Sequence, residues 1–186
     1  MRPLFTIHGG EYLVGSYIET HFKNVRVWIP SRDTGIDLLV SDKRLRRFVS
    51  LQVKFSKDFL VMDSMKHLLG KDLRACGFWT VDRDKLRVSP SADFWVFVLL
   101  GFGARTTDFV IVRPKELLRR LDAIHGAKKK IQTYIWVTDT EPKRCWETRG
   151  LRRSDQLLLA DGGYLKASRD LTKCLNNWAP IIQINR

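Results

Sequence analysis

Apolar residues recur near the start of the chain with the 3.6-residue period of a helix. Glu11, Val14, Gly15, Ile18 and Phe22 fall at i, i+3, i+4, i+7 and i+11, which predicts a helix over residues 10–22 with these residues on one face. The stripe carries a carboxylate at its start and a glycine in its middle, where Gly15 lets a packing partner approach closely. Beyond it the period shortens to two. Residues 25–29 read as a strand closed by Pro30, residues 31–35 as a turn and residues 36–40 as a second strand. Residues 42–47, rich in Lys and Arg, read as a hairpin connection. In residues 48–55, Val49, Leu51, Val53 and Phe55 alternate with Ser50, Gln52 and Lys54, which predicts a strand with one apolar and one polar face.

Residues 62–76 are expected to include a helix, with Met65, Leu68, Leu69 and Leu73 in register. Residues 77–92 have no decisive period. Residues 94–100 form a near-continuous apolar run, the mark of a strand covered on both faces, and residues 109–112 read as another strand. Pro114 stands where a helix prefers it, at the first position, ahead of a Leu117, Leu118, Leu121 stripe. Residues 131–137 read as a sixth strand. Residues 139–167 are polar, basic and turn-rich and take no assignment. Ser168 is placed to cap a last helix carrying Leu171, Leu175 and Trp178. The order α-β-β-β-α-β-β-α-β-α predicts an α/β fold, a central mixed sheet flanked by helices. At 186 residues the chain suits one domain over 1–186, with a core over about 8–137 and a C-terminal extension over 138–186.

Charge adds a partner to this picture. Lys and Arg number 33 against 20 Asp and Glu, a formal net charge of +13. A polyanion is the natural partner for such a surface, because each neutralised phosphate releases counterions. The basic residues cluster at Lys43, Arg44, Arg46 and Arg47; at Arg113, Lys115, Arg119 and Arg120 followed by Lys128, Lys129 and Lys130; and at Lys143, Arg144, Arg149, Arg152 and Arg153. Each could be an ordinary wet face. Together, with Lys57, they are expected to make a phosphate track. Trp146, set among Lys143, Arg144 and Arg149, is the tryptophan nominated for base stacking. No long basic amphipathic helix points to a membrane surface, and the apolar run at 94–102 is too short to span a bilayer. Three widely spaced cysteines, an odd number, argue against a disulfide framework. With no apolar signal core at residues 1–10, the expected location is cytoplasmic.

Candidate chemistry lies on the polar faces. The alternation sets Asp37 opposite Ile36, Leu38 and Val40, and it sets Gln52 and Lys54 on one face, about 6.5 Å apart along the strand. If the two strands pair as a hairpin, Asp37, Gln52 and Lys54 converge. Glu11 joins them if the helix over 10–22 covers that same face. Three oxygen donors suit a hard cation such as Mg²⁺, and an ammonium beside them can orient water and offset charge developing on a phosphate. The bland alternatives are a solvent-facing strand and a carboxylate favoured by the helix dipole. There is no GxxxxGK[ST] loop, GxSxG elbow or HExxH motif to suggest other chemistry.

A helix bearing Glu11, then Gly35-Ile36-Asp37-Leu38-Leu39-Val40, then Leu51-Gln52-Val53-Lys54, resembles the PD-(D/E)xK nuclease superfamily over about residues 8–122. The likeness is greatest to the Holliday-junction-resolvase-like and restriction-endonuclease-like members. The resemblance implies that Glu11, Asp37 and Gln52 hold Mg²⁺ or Mn²⁺, that Lys54 is catalytic, that DNA is cut, and that two chains form a homodimer. Ile36 stands where Pro is usual, and Gln52 stands where a carboxylate is commoner, making this a QxK variant with one negative charge fewer. Asp33 and Lys57 are fallback ligand and base. A non-catalytic nucleic-acid-binding module on the same fold and an RNA-directed nuclease remain the alternative readings, beside a basic interaction protein in which the motif is coincidental.

Overall fold

The computed structural model describes residues 9–31, 35–56, 73–87, 92–101 and 106–184. Within them the elements run α1 (Gly9–His21), β1 (Val25–Trp28), β2 (Leu38–Asp42), β3 (Phe48–Phe55), β4 (Leu73–Asp82), α2 (Arg83–Arg87), β5 (Phe94–Leu100), β6 (Thr107–Val112), α3 (Pro114–His125), β7 (Lys130–Thr138), β8 (Arg144–Glu147), α4 (Arg153–Ala160) and α5 (Ala179–Gln183). The fold is α/β. One sheet is mixed and five-stranded, in the order β1-β2-β3-β5-β6, with β3 and β5 parallel and every other pairing antiparallel. A second sheet, β4-β7-β8, is antiparallel.

Three apolar clusters separate the layers. Val14 and Ile18 of α1 pack with Leu38, Val40, Val49, Leu51 and Val53 on one face of the large sheet. Trp95, Phe97, Leu99, Val110 and Val112 point from its other face toward Trp79, Val81, Ile131, Ile135 and Val137 of the small sheet, with Leu117 and Leu121 of α3 closing that core. Cys76, Trp136 and Trp146 lie on the far face of the small sheet under Leu159 and Ala160 of α4. The resulting order is helix, sheet, sheet, helix. The near-continuous apolar run of β5 follows from this, because the strand has a core on both sides, as β6 beside it does.

Several expectations change. Residues 62–72 lie outside the described residues, and Leu73 opens β4 instead of closing a helix. Residues 131–137 form a strand, but in the second sheet. Ser168 caps no long helix: residues 167–169 and 172–174 are single 3₁₀ turns, and α5 starts only at Ala179. The reason is visible in the packing. A helix would have kept Leu171 and Trp178 on one face, yet Leu171 belongs to the core between the sheets and Trp178 to the core under α1. Residues 139–167 contain β8 and α4. The close approach expected at Gly15 belongs to Gly10. A Cβ on Gly15 would meet Val27 at an ordinary 3.6 Å, whereas one on Gly10 would lie 2.5 Å from the Phe55 Cβ. The three cysteines are free, two of them buried, and burial pushes the Cys145 and Cys174 thiols upward in pKa.

Candidate active site

The β2–β3 hairpin sets the geometry. Leu38 pairs with Leu51 and Leu39 with Ser50, so Leu39, Ser50, Gln52 and Lys54 share the face opposite α1. Asp37 stands one residue before β2. Its N–H donates to the Leu51 carbonyl at 2.9 Å. Its carboxylate Oδ2 accepts from the Val53 N–H at 2.7 Å. The side chain therefore gives β3 an acceptor just beyond the end of the β2 ladder, and β3 in turn fixes the carboxylate. A charge-assisted bond of this kind is among the stronger ones available to a carboxylate.

Gln52 is level with Trp95 on the neighbouring parallel strand, and the Lys54 Nζ lies 4.8 Å from the Trp95 ring centroid, over its face. Two residues back, the Asp93 carboxylate accepts from both the N–H and the hydroxyl of Ser50 at 2.8 Å. The Asp93 N–H donates back to the Ser50 Oγ at 2.9 Å. This double clamp ties the start of β5 to β3 and holds the register on which Gln52 and Lys54 depend.

Glu11 arrives differently from the way the sequence suggests. Helix α1 covers the Val49, Leu51, Val53 face, not the Gln52 and Lys54 face. Its first turn, however, abuts the end of β3 through Gly10 against Phe55 and Val53. Glu11, half-buried, sits in that first turn, at the end of the sheet where Asp37 and Lys54 lie. The potential donor set is two carboxylates and one carboxamide. Among the described residues no three of His, Cys, Asp and Glu group so as to hold a metal. Asp33 and Lys57 lie outside the described residues.

The basic clusters separate. Lys43, Arg44, Arg46 and Arg47 are exposed around the hairpin, and with Asn24, Asp42 and Ile184 they line a cleft of about 490 Å³. Asp42 lies among them, and its Oδ1 accepts from the backbone N–H groups of Arg46 and Arg47 at 2.7 and 3.0 Å. Those bonds hold its carboxyl below the usual range. Lys128 and Lys129 precede β7 and Lys130 opens it, while Lys143 follows it, so about 26 Å of strand separates the two groups and the expected single track is interrupted. Arg144 is half-buried and donates to the Gly162 carbonyl at 3.4 Å. Arg119 and Arg120 both pair with Glu116.

Trp146 is not available for stacking. It is 2% exposed, level with Trp136 on β7, and its ring packs edge-on against Tyr164. Its basic neighbours suggested surface, but strand β8 turns it into the core under α4. A second polar cluster, around Glu147, is internal to the fold. Buried Glu147 pairs with Arg169 and with the His125 Nε2 at 3.0 Å, and it accepts from Thr133 and the Arg149 N–H, so its oxygens are spent inside the fold. The aromatic residue that the sequence reading passed over is Trp28, on edge strand β1 and 44% exposed. The period-two pattern of residues 25–28 could have found it, since Val25 and Val27 take the buried side.

No helix among the described residues is long and apolar enough to cross a membrane. Comparison of the chain with known protein families, with curated proteins and with solved structures finds no match.

Proposed function

We propose that this chain is a divalent-metal-dependent endonuclease acting on DNA. The observation that carries the reading is the Asp37 carboxylate, bound at 2.7 Å to the Val53 N–H between the side chains of Gln52 and Lys54 on one sheet face. Asp37, the Gln52 carbonyl and Glu11 are hard oxygen donors, a set whose chemistry fits Mg²⁺ or Mn²⁺. Such a cation supplies Lewis-acid polarisation of a phosphoryl oxygen and acidifies a bound water. Lys54, oriented by the Trp95 ring, places a positive charge where an attacking water or a developing phosphorane charge needs it. The hairpin cations hold the backbone of the polyanion. Cutting both strands of a duplex would take two such sites, so a homodimer belongs to this reading, as does a reduced, cytoplasmic setting for the free thiols.

The test is cleavage of supercoiled, linear, branched and single-stranded DNA, and of RNA, with Mg²⁺ or Mn²⁺ and with EDTA. Metal-dependent cutting by the wild type that disappears in Asp37→Ala and in Lys54→Ala is the expected result. Cutting that survives both substitutions would reject the site, and preference for RNA would shift the substrate.

A second reading, a non-catalytic nucleic-acid-binding module, is favoured by one observation. Gln52 gives the donor set a neutral carbonyl in place of a carboxylate, so a cation there meets one negative charge fewer. Salt-sensitive binding with no cleavage under any metal would select this reading.

A further inference from the structure

We propose that the open half of the large sheet's site face binds an unpaired single strand of nucleic acid, its bases stacked on Trp28 and Phe48 and its phosphates held by the hairpin cations. The proposal rests on the nuclease reading and names the form of substrate that the same site takes. Register places the two rings. Trp28 is level with Leu39, and Phe48 with Ser41, so both lie on the face that carries Asp37, Gln52 and Lys54. The Trp28 indole N–H donates to the Ser41 Oγ at 3.0 Å, which lays the ring across β2 toward β3. Trp28 is one residue pair from the level of Asp37, about 7 Å along the strand.

Exposure sets Trp28 apart from the other tryptophans, and Phe48 is as open beside it. The other five tryptophans, at positions 79, 95, 136, 146 and 178, are exposed by 7% or less, while Trp28 is exposed by 44% and Phe48 by 48%. Among the described residues, the apolar core shared with the small sheet meets this face at β5 and β6. Large apolar rings left in water beside a polar site mark a binding surface more often than chance. Charge selects the occupant. Arg26 lies exposed on the same face, and the hairpin beyond Phe48 carries Lys43, Arg44, Arg46 and Arg47. None of these five is within ion-pair distance of a carboxylate among the described residues. Exposed rings beside exposed cations, of which Arg47 also donates to the Gln183 carbonyl at 3.5 Å, suit a strand whose bases are unpaired, since each base has a face to stack and each phosphate a charge to meet. A duplex keeps its bases stacked inside and gains nothing from the rings. A protein partner of ordinary composition gains nothing from the cations.

Trp28 also supplies the readout, because acrylamide reaches no other tryptophan to a comparable degree. Binding of labelled oligothymidine and of a duplex of equal length is measured by anisotropy in EDTA, alongside acrylamide quenching of the protein's fluorescence. Oligothymidine should bind more tightly than the duplex and should shield Trp28 from quenching. Trp28→Ala and Phe48→Ala should each weaken oligothymidine binding about 5- to 150-fold and leave duplex binding unchanged, while Trp28→Phe keeps most of the affinity. Equal binding of both ligands by wild type and by all three variants would overturn the proposal. So would a Trp28 already shielded in the protein alone, which would mean that a second copy or another protein segment covers this face. The two readings fail separately. Trp28-dependent oligothymidine binding without metal-dependent cleavage removes the nuclease and keeps the platform; Asp37-dependent cleavage of duplex, indifferent to Trp28→Ala, does the reverse.

Discussion

At the scale of single residues, Asp37 combines two tasks that substitution can separate. Its carboxylate bonds the Val53 N–H and carries the charge that a metal would need. Asp37→Asn keeps an oxygen acceptor for Val53 but removes the charge, whereas Asp37→Ala removes both. Both variants should lose metal-dependent cleavage by about 10²-fold or more. Only Asp37→Ala should also lower stability, by about 1–3 kcal/mol for the unsatisfied N–H. Steady-state cleavage rates and urea unfolding check the two halves. An Asp37→Asn protein that cleaves normally would mean the residue is purely architectural. The polar face holding Gln52 and Lys54 was legible because its reverse is uniformly apolar, which fixes the register of a strand. Trp146 was misjudged for a plain physical reason. Neighbouring charge in sequence says little about a strand residue, since side chains two apart share a face and adjacent ones do not.

At the scale of elements, α1 and α3 carry the next two expectations. The first turn of α1 touches β3 where Gly10 meets Phe55, with no room for a methyl group. Gly10→Ala should push the helix away from the sheet, cost about 1–3 kcal/mol as an overpacking substitution, and reduce cleavage by displacing Glu11. Gly15→Ala, in ordinary contact with Val27, serves as the control and should be milder on both counts. Thermal melts and cleavage rates on the pair decide whether the tight contact matters. Helix α3 is held to α2 by a two-pronged bond from Arg83 to Asp122, at 3.0 and 2.7 Å. That bond lowers the Asp122 carboxyl pKa, and Arg119 and Arg120 lower that of Glu116. A carboxyl depressed in the folded state adds stability above its unfolded pKa and loses it as pH falls through the folded value. The melting temperature should therefore drop on acidification below the usual carboxylate range, and less steeply in Arg83→Ala than in the wild type. Identical slopes would mean that the pair is screened to insignificance, as exposed pairs often are. Elements with a strong local period, such as α1, β3 and α3, were readable. Strand β4 was not, because a ten-residue strand with Leu73 at its start and glycine within it is held by its long ladder with β7, far away in sequence.

At the scale of the whole molecule, the sequence suggested a core ending near residue 137 and an extension after it. The packing assigns the last fifty or so residues a different part. Cys145 and Leu171 complete the core between the sheets, Trp146 and Leu159 make most of the core under α4, and Trp178, Ile181 and Ile184 close the core under α1. Trp178 stacks on Tyr17 at 5.0 Å between centroids and meets Phe109 at 5.1 Å, and the Asn176 side-chain oxygen accepts from the Phe109 N–H at 2.8 Å. No part of the chain before residue 138 has a core that is finished without these residues. A chain ending at residue 137 should therefore lack a cooperative thermal transition and a near-ultraviolet dichroism signal, and Trp178→Ala in the full chain should cost about 3–5 kcal/mol. The comparison also bears on the site. Trp178 and Ile181 share their cluster with Leu51 and Val53, whose strand carries Gln52 and Lys54 on its other face. Loosening the C-terminal segment should then weaken nucleic-acid cleavage without any loss of the hairpin cations. A truncated chain that melts cooperatively near the wild-type temperature would restore the division into core and extension, and would leave the C-terminal quarter free to serve as a separate recognition element.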